Sequence, residues 1–167
     1  MNELRNFAHW FLDHGIGHLA PPDEIYDYGR LRSLVLHRTP PFQVELFTIL
    51  AGPSFPLEHC HHYVDAIEVQ IGSTPIPLTI NGLPAVPAFI DEHIIAEIPK
   101  FTWHGITAVE KNVSFFSVQK WTPDVPMSSV ALDWEGIPLN SAHRQLFRQD
   151  KGNLWDAPTI REHRNDR

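Results

Sequence analysis

Residues 52–72, Gly-Pro-Ser-Phe-Pro-Leu-Glu-His-Cys-His-His-Tyr-Val-Asp-Ala-Ile-Glu-Val-Gln-Ile-Gly, gather several side chains able to hold a metal. His59 and His61 are two residues apart, so on an extended segment both imidazoles project to one face, with Cys60 on the other. At the same period Asp65, Ile67, Val69 and Ile71 share a face, and Ala66, Glu68 and Gln70 share its opposite. The face with three β-branched residues is expected to be the buried one, which turns Asp65 inward and Glu68 outward. A buried carboxylate is costly unless a positive group compensates it, and two imidazoles beside it suggest a shared cation. His104, after Pro99-Lys100-Phe101-Thr102-Trp103, opens another strand-like stretch and supplies a third imidazole. Neutral imidazole nitrogens and a carboxylate oxygen suit divalent transition metals, and an incomplete shell leaves room for substrate.

Asp65 has two readings. It ligates directly, or it orients a ligating imidazole and fixes its tautomer. His62 falls on the opposite parity from the His59 and His61 pair, and Cys60 reads as a small buried residue with no identifiable base to activate it. On the stretch Val113–Trp121, Lys120 should face water, which turns Val113, Phe115, Ser117 and Gln119 inward. Gln119 and Phe115 are therefore candidates for the wall of a pocket, and Trp103 for its mouth.

The elements that must position these groups are short. Leu4, Phe7, Ala8, Phe11 and Leu12 recur at helical spacing between Asn2, a plausible N-cap, and Gly15, a stop, so a helix is expected on the outside of a sheet. Residues 13–29 read as an irregular connection. Strands are expected over Arg30–His37 and Phe42–Leu50, with Thr39-Pro40-Pro41 as the turn, and over Ile76–Ile80, Glu92–Ile98, Ile106–Val109 and Val113–Trp121. Asn81-Gly82 is a hairpin signal, and Lys111-Asn112 reads as a second. Beyond Trp121 the pattern fades into an arm carrying Val130, Leu132, Trp134 and Ile137, and then a polar tail.

The whole chain bounds the partners. Its 167 residues suit one folded unit, and fifteen prolines against nine glycines fit many turns better than long helices. A net charge of -7 argues against a nucleic-acid or anionic-membrane partner. The single cysteine excludes an intrachain disulfide. With no basic segment leading into an apolar run near Met1, and no long apolar stretch, the expectation is a cytoplasmic protein.

These residues resemble the cupin family. Its first motif is a Gly, then His-x-His, three or four residues, Glu, six residues and Gly; here Gly52 precedes His59-Cys60-His61, three residues follow, Asp65 stands where Glu is usual, and six residues lead to Gly72. The second motif, Gly, five residues, Pro-x-Gly-x-x-His, three residues and Asn, keeps Pro99 and His104, while His93, Phe101 and Ala108 replace the first Gly, the second Gly and the Asn. The resemblance implies an all-β fold, a double-stranded β-helix or jelly-roll barrel over 25–122. A segment at 1–24 carrying the short helix would precede it, and an arm and tail at 123–167 would follow. It implies one divalent transition metal ion held by His59, His61, Asp65 and His104, iron first, with Mn, Ni, Cu or Zn as alternatives. It also implies a dioxygenase acting on a small-molecule substrate, and a homodimer. A small-molecule-binding cupin without turnover, and a metal-dependent isomerase or lyase, stay open beside it.

Overall fold

The computed structural model describes residues 1–18, 25–28, 30–55, 58, 61 and 63–123. One helix, α1 (Asn2–Asp13), and a short 3-10 turn (Gly15–His18) precede ten strands. These are β1 (Ile25–Tyr28), β2 (Leu31–Thr39), β3 (Phe42–Ile49), β4 (Val64–Gln70), β5 (Leu78–Ile80), β6 (Leu83–Pro84), β7 (Ala88–Ile90), β8 (His93–Ile98), β9 (His104–Ile106) and β10 (Val113–Trp121). A seven-stranded sheet runs in the order β1-β2-β3-β10-β4-β8-β7, and a three-stranded sheet runs β6-β5-β9. Every pairing is antiparallel. No helix among the described residues is long and apolar enough to cross a membrane.

The large sheet is covered on both faces. Leu4, Ala8 and Phe11 of α1 are fully buried against Val44, Ile67, Val69, Ile95 and Val118 of β3, β4, β8 and β10. Two ion pairs, Lys120 with Glu3 and Arg5 with Glu97, tie the helix to β10 and β8. His9 faces Asp13 at 2.9 Å and Asp91 at 3.0 Å, joining the helix to the turn between β7 and β8. The other face packs Leu31, Phe47, Ile49, Val113 and Phe115 with Phe55 and Ile106, and Ala66 and Ile98 with Leu78 of the small sheet.

This double cover corrects the expected parity of β4. Ile67 and Val69 are indeed buried, but under α1, so the opposite row, Val64, Ala66 and Glu68, faces the space between the sheets. Glu68 points inward, not outward, and is only 6% exposed. The alternation expected for β10 is found as written for Phe115, Ser117 and Gln119, while Lys120 turns to α1.

Turn chemistry fits the sequence at two places. Asn81 and Gly82 have φ of 51° and 77°, the left-handed pair that a two-residue hairpin needs, and they join β5 to β6. Phe101 also has a positive φ, 65°, at the position where the cupin motif has glycine. Lys111-Asn112 is not a hairpin turn, because β9 pairs with β5 while β10 inserts between β3 and β4. Asn2 is the first helical residue, with Met1 as its cap, and residues 25–28 form a strand instead of an irregular connection. The arm residues Val130, Leu132, Trp134 and Ile137 lie outside the described residues.

Candidate metal and substrate cavity

A cavity opens between the two sheets, with about 70 Å³ of room for water-sized groups, enough for several waters or a small ligand. Its walls are mostly apolar, with Phe47 of β3, Leu78 of β5, Ile106 of β9 and Phe115 of β10 among them. Six polar side chains interrupt them: Glu45, His61, Glu68, His104, Ser117 and Gln119.

His104 opens β9 and is 5% exposed. Its Nδ1 lies 2.9 Å from the Thr102 carbonyl oxygen, to which it donates, so Nε2 keeps the lone pair. Burial, reinforced by His61 and opposed by the bond to Thr102, lowers its pKa to about 3, and the ring is neutral at ordinary pH. The ring of His61 lies beside it, centroids 5.0 Å apart and planes inclined at 43°. Two imidazoles on one ion, each with its nitrogen about 2.1 Å from the metal, bring their centroids about 5 Å apart, so the pair fits a shared divalent ion.

The segment that carries His61 is pinned at both ends of its described part. Glu58 Oε1 accepts from Thr79 Oγ1 and from Gly82 N, each at 2.8 Å. The His61 carbonyl accepts from Phe101 N at 2.7 Å. Gly105, beside His104, makes the approach possible: a Cβ there would come within 3.0 Å of Glu58 Cγ.

Two carboxyls share the cavity. Cross-strand register places Ser117 of β10 opposite Glu45 of β3 on one side and Glu68 of β4 on the other. Glu45 accepts from Ser33 Oγ and Gln43 Nε2, one on each oxygen. Glu68 Oε1 accepts from Ser117 Oγ at 2.9 Å. Burial raises the pKa of Glu45, opposed by the bonds from Ser33 and Gln43. Burial, against the Ser117 bond and with the like charge of Glu45 added, raises that of Glu68 to about 8.

Of the expected site residues, His61 and His104 come together, and Phe115 and Gln119 line the same cavity. Asp65 does not join them. It sits on the other face of β4, and its Oδ1 accepts from Lys100 N at 2.9 Å. Trp103 packs against the core cluster around Phe55 and is not part of the cavity wall. His59, Cys60 and His62 lie outside the described residues. Glu45, Glu68 and Ser117 complete the polar wall, and only Ser117 was legible as inward from its strand. The signal for Glu45 lay in β3, where Gln43 and Glu45 are in phase with Phe47 and Ile49. Among the described residues, a second grouping of metal-type side chains, His9, Asp13 and Asp91, is wholly exposed on the helix side of the large sheet.

Two antiparallel sheets enclosing a histidine-lined cavity, with one helix outside, define a cupin barrel. The chain has the cupin fold. Solved structures similar to it include a cupin-2 domain protein from Rhodospirillum rubrum, at 16% identity and a TM-score of 0.42, covering 75% of this chain and 80% of that one. A cupin 2 conserved barrel domain protein from Rhodopseudomonas palustris is similar at 17% identity and a TM-score of 0.41, covering 76% and 88%. KdgF from Halomonas sp. is similar at 19% identity and a TM-score of 0.40, covering 57% and 82%. No family model matches the sequence, and no curated protein does.

Proposed function

We propose that the chain is a metal-dependent cupin enzyme that transforms a small organic molecule in the cavity between its sheets, an oxygenase in the leading form of the reading. The observation that carries it is the His61 and His104 pair, 5.0 Å apart at the cavity, with the His104 tautomer set by Thr102. His59, by its spacing from His61, would add a third imidazole. When bound, a divalent ion would supply Lewis-acid and redox chemistry at its open positions. The chain's own residues do the rest. His104 offers its lone pair without having to lose a proton, Phe47, Phe115, Leu78 and Ile106 exclude water from the reacting molecule, and the room available limits the substrate to a small one.

The two buried carboxyls favour a second reading, a metal-dependent isomerase or lyase, because such reactions need acid and base groups beside the substrate. Metal analysis of tag-free protein, followed by oxygen uptake with small organic substrates, tests both. Retained metal with substrate-dependent oxygen uptake supports the oxygenase. Turnover without oxygen uptake selects the second reading. Protein that retains no divalent ion overturns the common ground of the two. A homodimer is proposed on the apolar row Val130, Leu132 and Trp134, and light scattering at micromolar concentration tests it.

A further inference from the structure

Three hydrogen bonds tie together the segment of Glu58 and His61, the segment 99–104 that ends in His104, and the β5–β6 turn. Phe101 N donates to the His61 carbonyl at 2.7 Å, Asn81 N to the Trp103 carbonyl at 2.8 Å, and Gly82 N to Glu58 Oε1 at 2.8 Å. Each donor is the N–H of a residue with a left-handed backbone, φ being 65° at Phe101, 51° at Asn81 and 77° at Gly82. The bonds close a ring: Phe101 joins the two imidazole segments directly, and the turn joins each of them again. Among the described residues three that are not glycine have a positive φ, Asn81, Asp91 and Phe101, and two of them stand in this ring.

Local turn formation accounts for the angles but not for where the bonds go. A two-residue hairpin sets φ at Asn81 and Gly82, yet its strand pairing uses neither of their N–H groups. At 99–102 a β-turn closes from Thr102 N to the Pro99 carbonyl at 3.2 Å, and Phe101 fills its third position, where glycine would carry a positive φ without steric cost. Phenylalanine does carry that cost, and the bond to His61 offsets it. We propose that Phe101, Asn81 and Gly82 are positioning residues of the metal site: their left-handed backbones aim three N–H groups at the segments bearing His61 and His104, and so hold the two rings at the spacing a divalent ion needs. This rests on the metal-dependent reading above and extends it to residues that touch neither metal nor substrate.

Cobalt(II) titration of the intact chain, stripped of metal with a chelator, tests this, because the visible bands of bound cobalt report the arrangement of its ligands as well as the affinity. Valine keeps the N–H but is β-branched and disfavours a positive φ, whereas glycine keeps both the N–H and the conformation. Phe101→Val and Asn81→Val should bind cobalt about tenfold more weakly, the cost of one side chain forced left-handed, and should shift its bands. Phe101→Gly and Asn81→Gly should match the wild type in both. Where one valine variant fails to fold, the other decides. Lower melting temperatures with unchanged cobalt affinity and bands would mark a purely structural role and overturn the proposal. Glycine variants as impaired as the valine ones would assign the effect to the side chains and overturn it too. Wild type that takes up no cobalt overturns the metal-dependent function and this proposal with it, while uptake that the valine substitutions leave unaltered overturns this proposal alone.

Discussion

His104 Nδ1 donates to the carbonyl oxygen of Thr102, 2.9 Å away and two residues earlier in the chain. The bond commits the other nitrogen to act as an acceptor or ligand, and burial keeps the ring neutral far below the usual histidine range. His104→Ala should therefore reduce divalent-metal affinity by more than about 100-fold, beyond what the loss of an outer partner costs. Equilibrium dialysis of the folded variant measures it, and unchanged affinity would remove His104 from the site.

Asp65 and Glu68 are three residues apart on β4 and face opposite ways, Asp65 to Lys100 N and Glu68 to the cavity. Asp65→Asn should leave metal affinity as in the wild type, since its side chain is outside the cavity wall. Asp65→Ala should cost about 1 kcal/mol in stability, the value of one hydrogen bond to a backbone N–H. Metal titration and urea melts of the two variants check the pair of statements. Loss of metal from the Asn variant would restore Asp65 as a ligand.

Those two residues also show where the sequence was readable. On β10 the single charged residue, Lys120, marked one face, and the parity of Phe115, Ser117 and Gln119 followed from it. On β4 both faces are covered, one by α1 and one by the small sheet, so the β-branched row of Ile67 and Val69 did not identify the interior. The helix was legible from its apolar spacing, but nothing local in it says which strand face it will cover. Glu45 and Glu68 become partners only through the insertion of β10 between β3 and β4, a long-range pairing that periodicity cannot see. His61 and His104, by contrast, are legible as a pair from residue type and spacing, because each stands in a short motif, and their rings do lie side by side.

Glu68 should make the protein lose stability as pH rises. In the unfolded chain its pKa is near 4.5, and in the fold it is about 8. The folded state therefore holds a proton that the unfolded state releases, so this contribution is full below pH 4.5 and is lost between 4.5 and about 8. The slope over that window is about 1.4 kcal/mol per pH unit at most. His104 works in the other direction: with an ordinary value of 6.5 and a folded value of about 3, it lowers stability as pH falls through that range. Glu68→Gln removes the first effect only. Melting temperatures from pH 5 to 8 should fall more steeply for the wild type than for this variant, and parallel curves would contradict the buried proton.

The helix should be the main clamp on the outer face of the large sheet. Phe11 is fully buried and meets Phe116 edge-on at 5.5 Å between centroids. Phe11→Ala should cost about 3–5 kcal/mol, the range for an emptied aromatic site in a core. Chemical denaturation gives the number, and a cost below about 1 kcal/mol would mean that α1 is dispensable to the sheet.

Glu58 should govern the metal site without touching the metal. Its Oε1 accepts from Thr79 Oγ1 and Gly82 N, fastening the segment that carries His61 to the β5–β6 turn. The approach has little slack, since a Cβ on Gly105 would also come within 3.2 Å of Thr79 Oγ1. Glu58→Gln keeps an acceptor oxygen and should keep metal affinity, while Glu58→Ala frees the segment and should lower it by about 10- to 100-fold, as for other groups that orient ligands. Gly105→Ala should shift the same contact and weaken metal binding in the same direction. If the Ala variant at 58 melts like the wild type and binds metal equally well, attachments other than Glu58, such as Phe101 N to the His61 carbonyl, hold the segment.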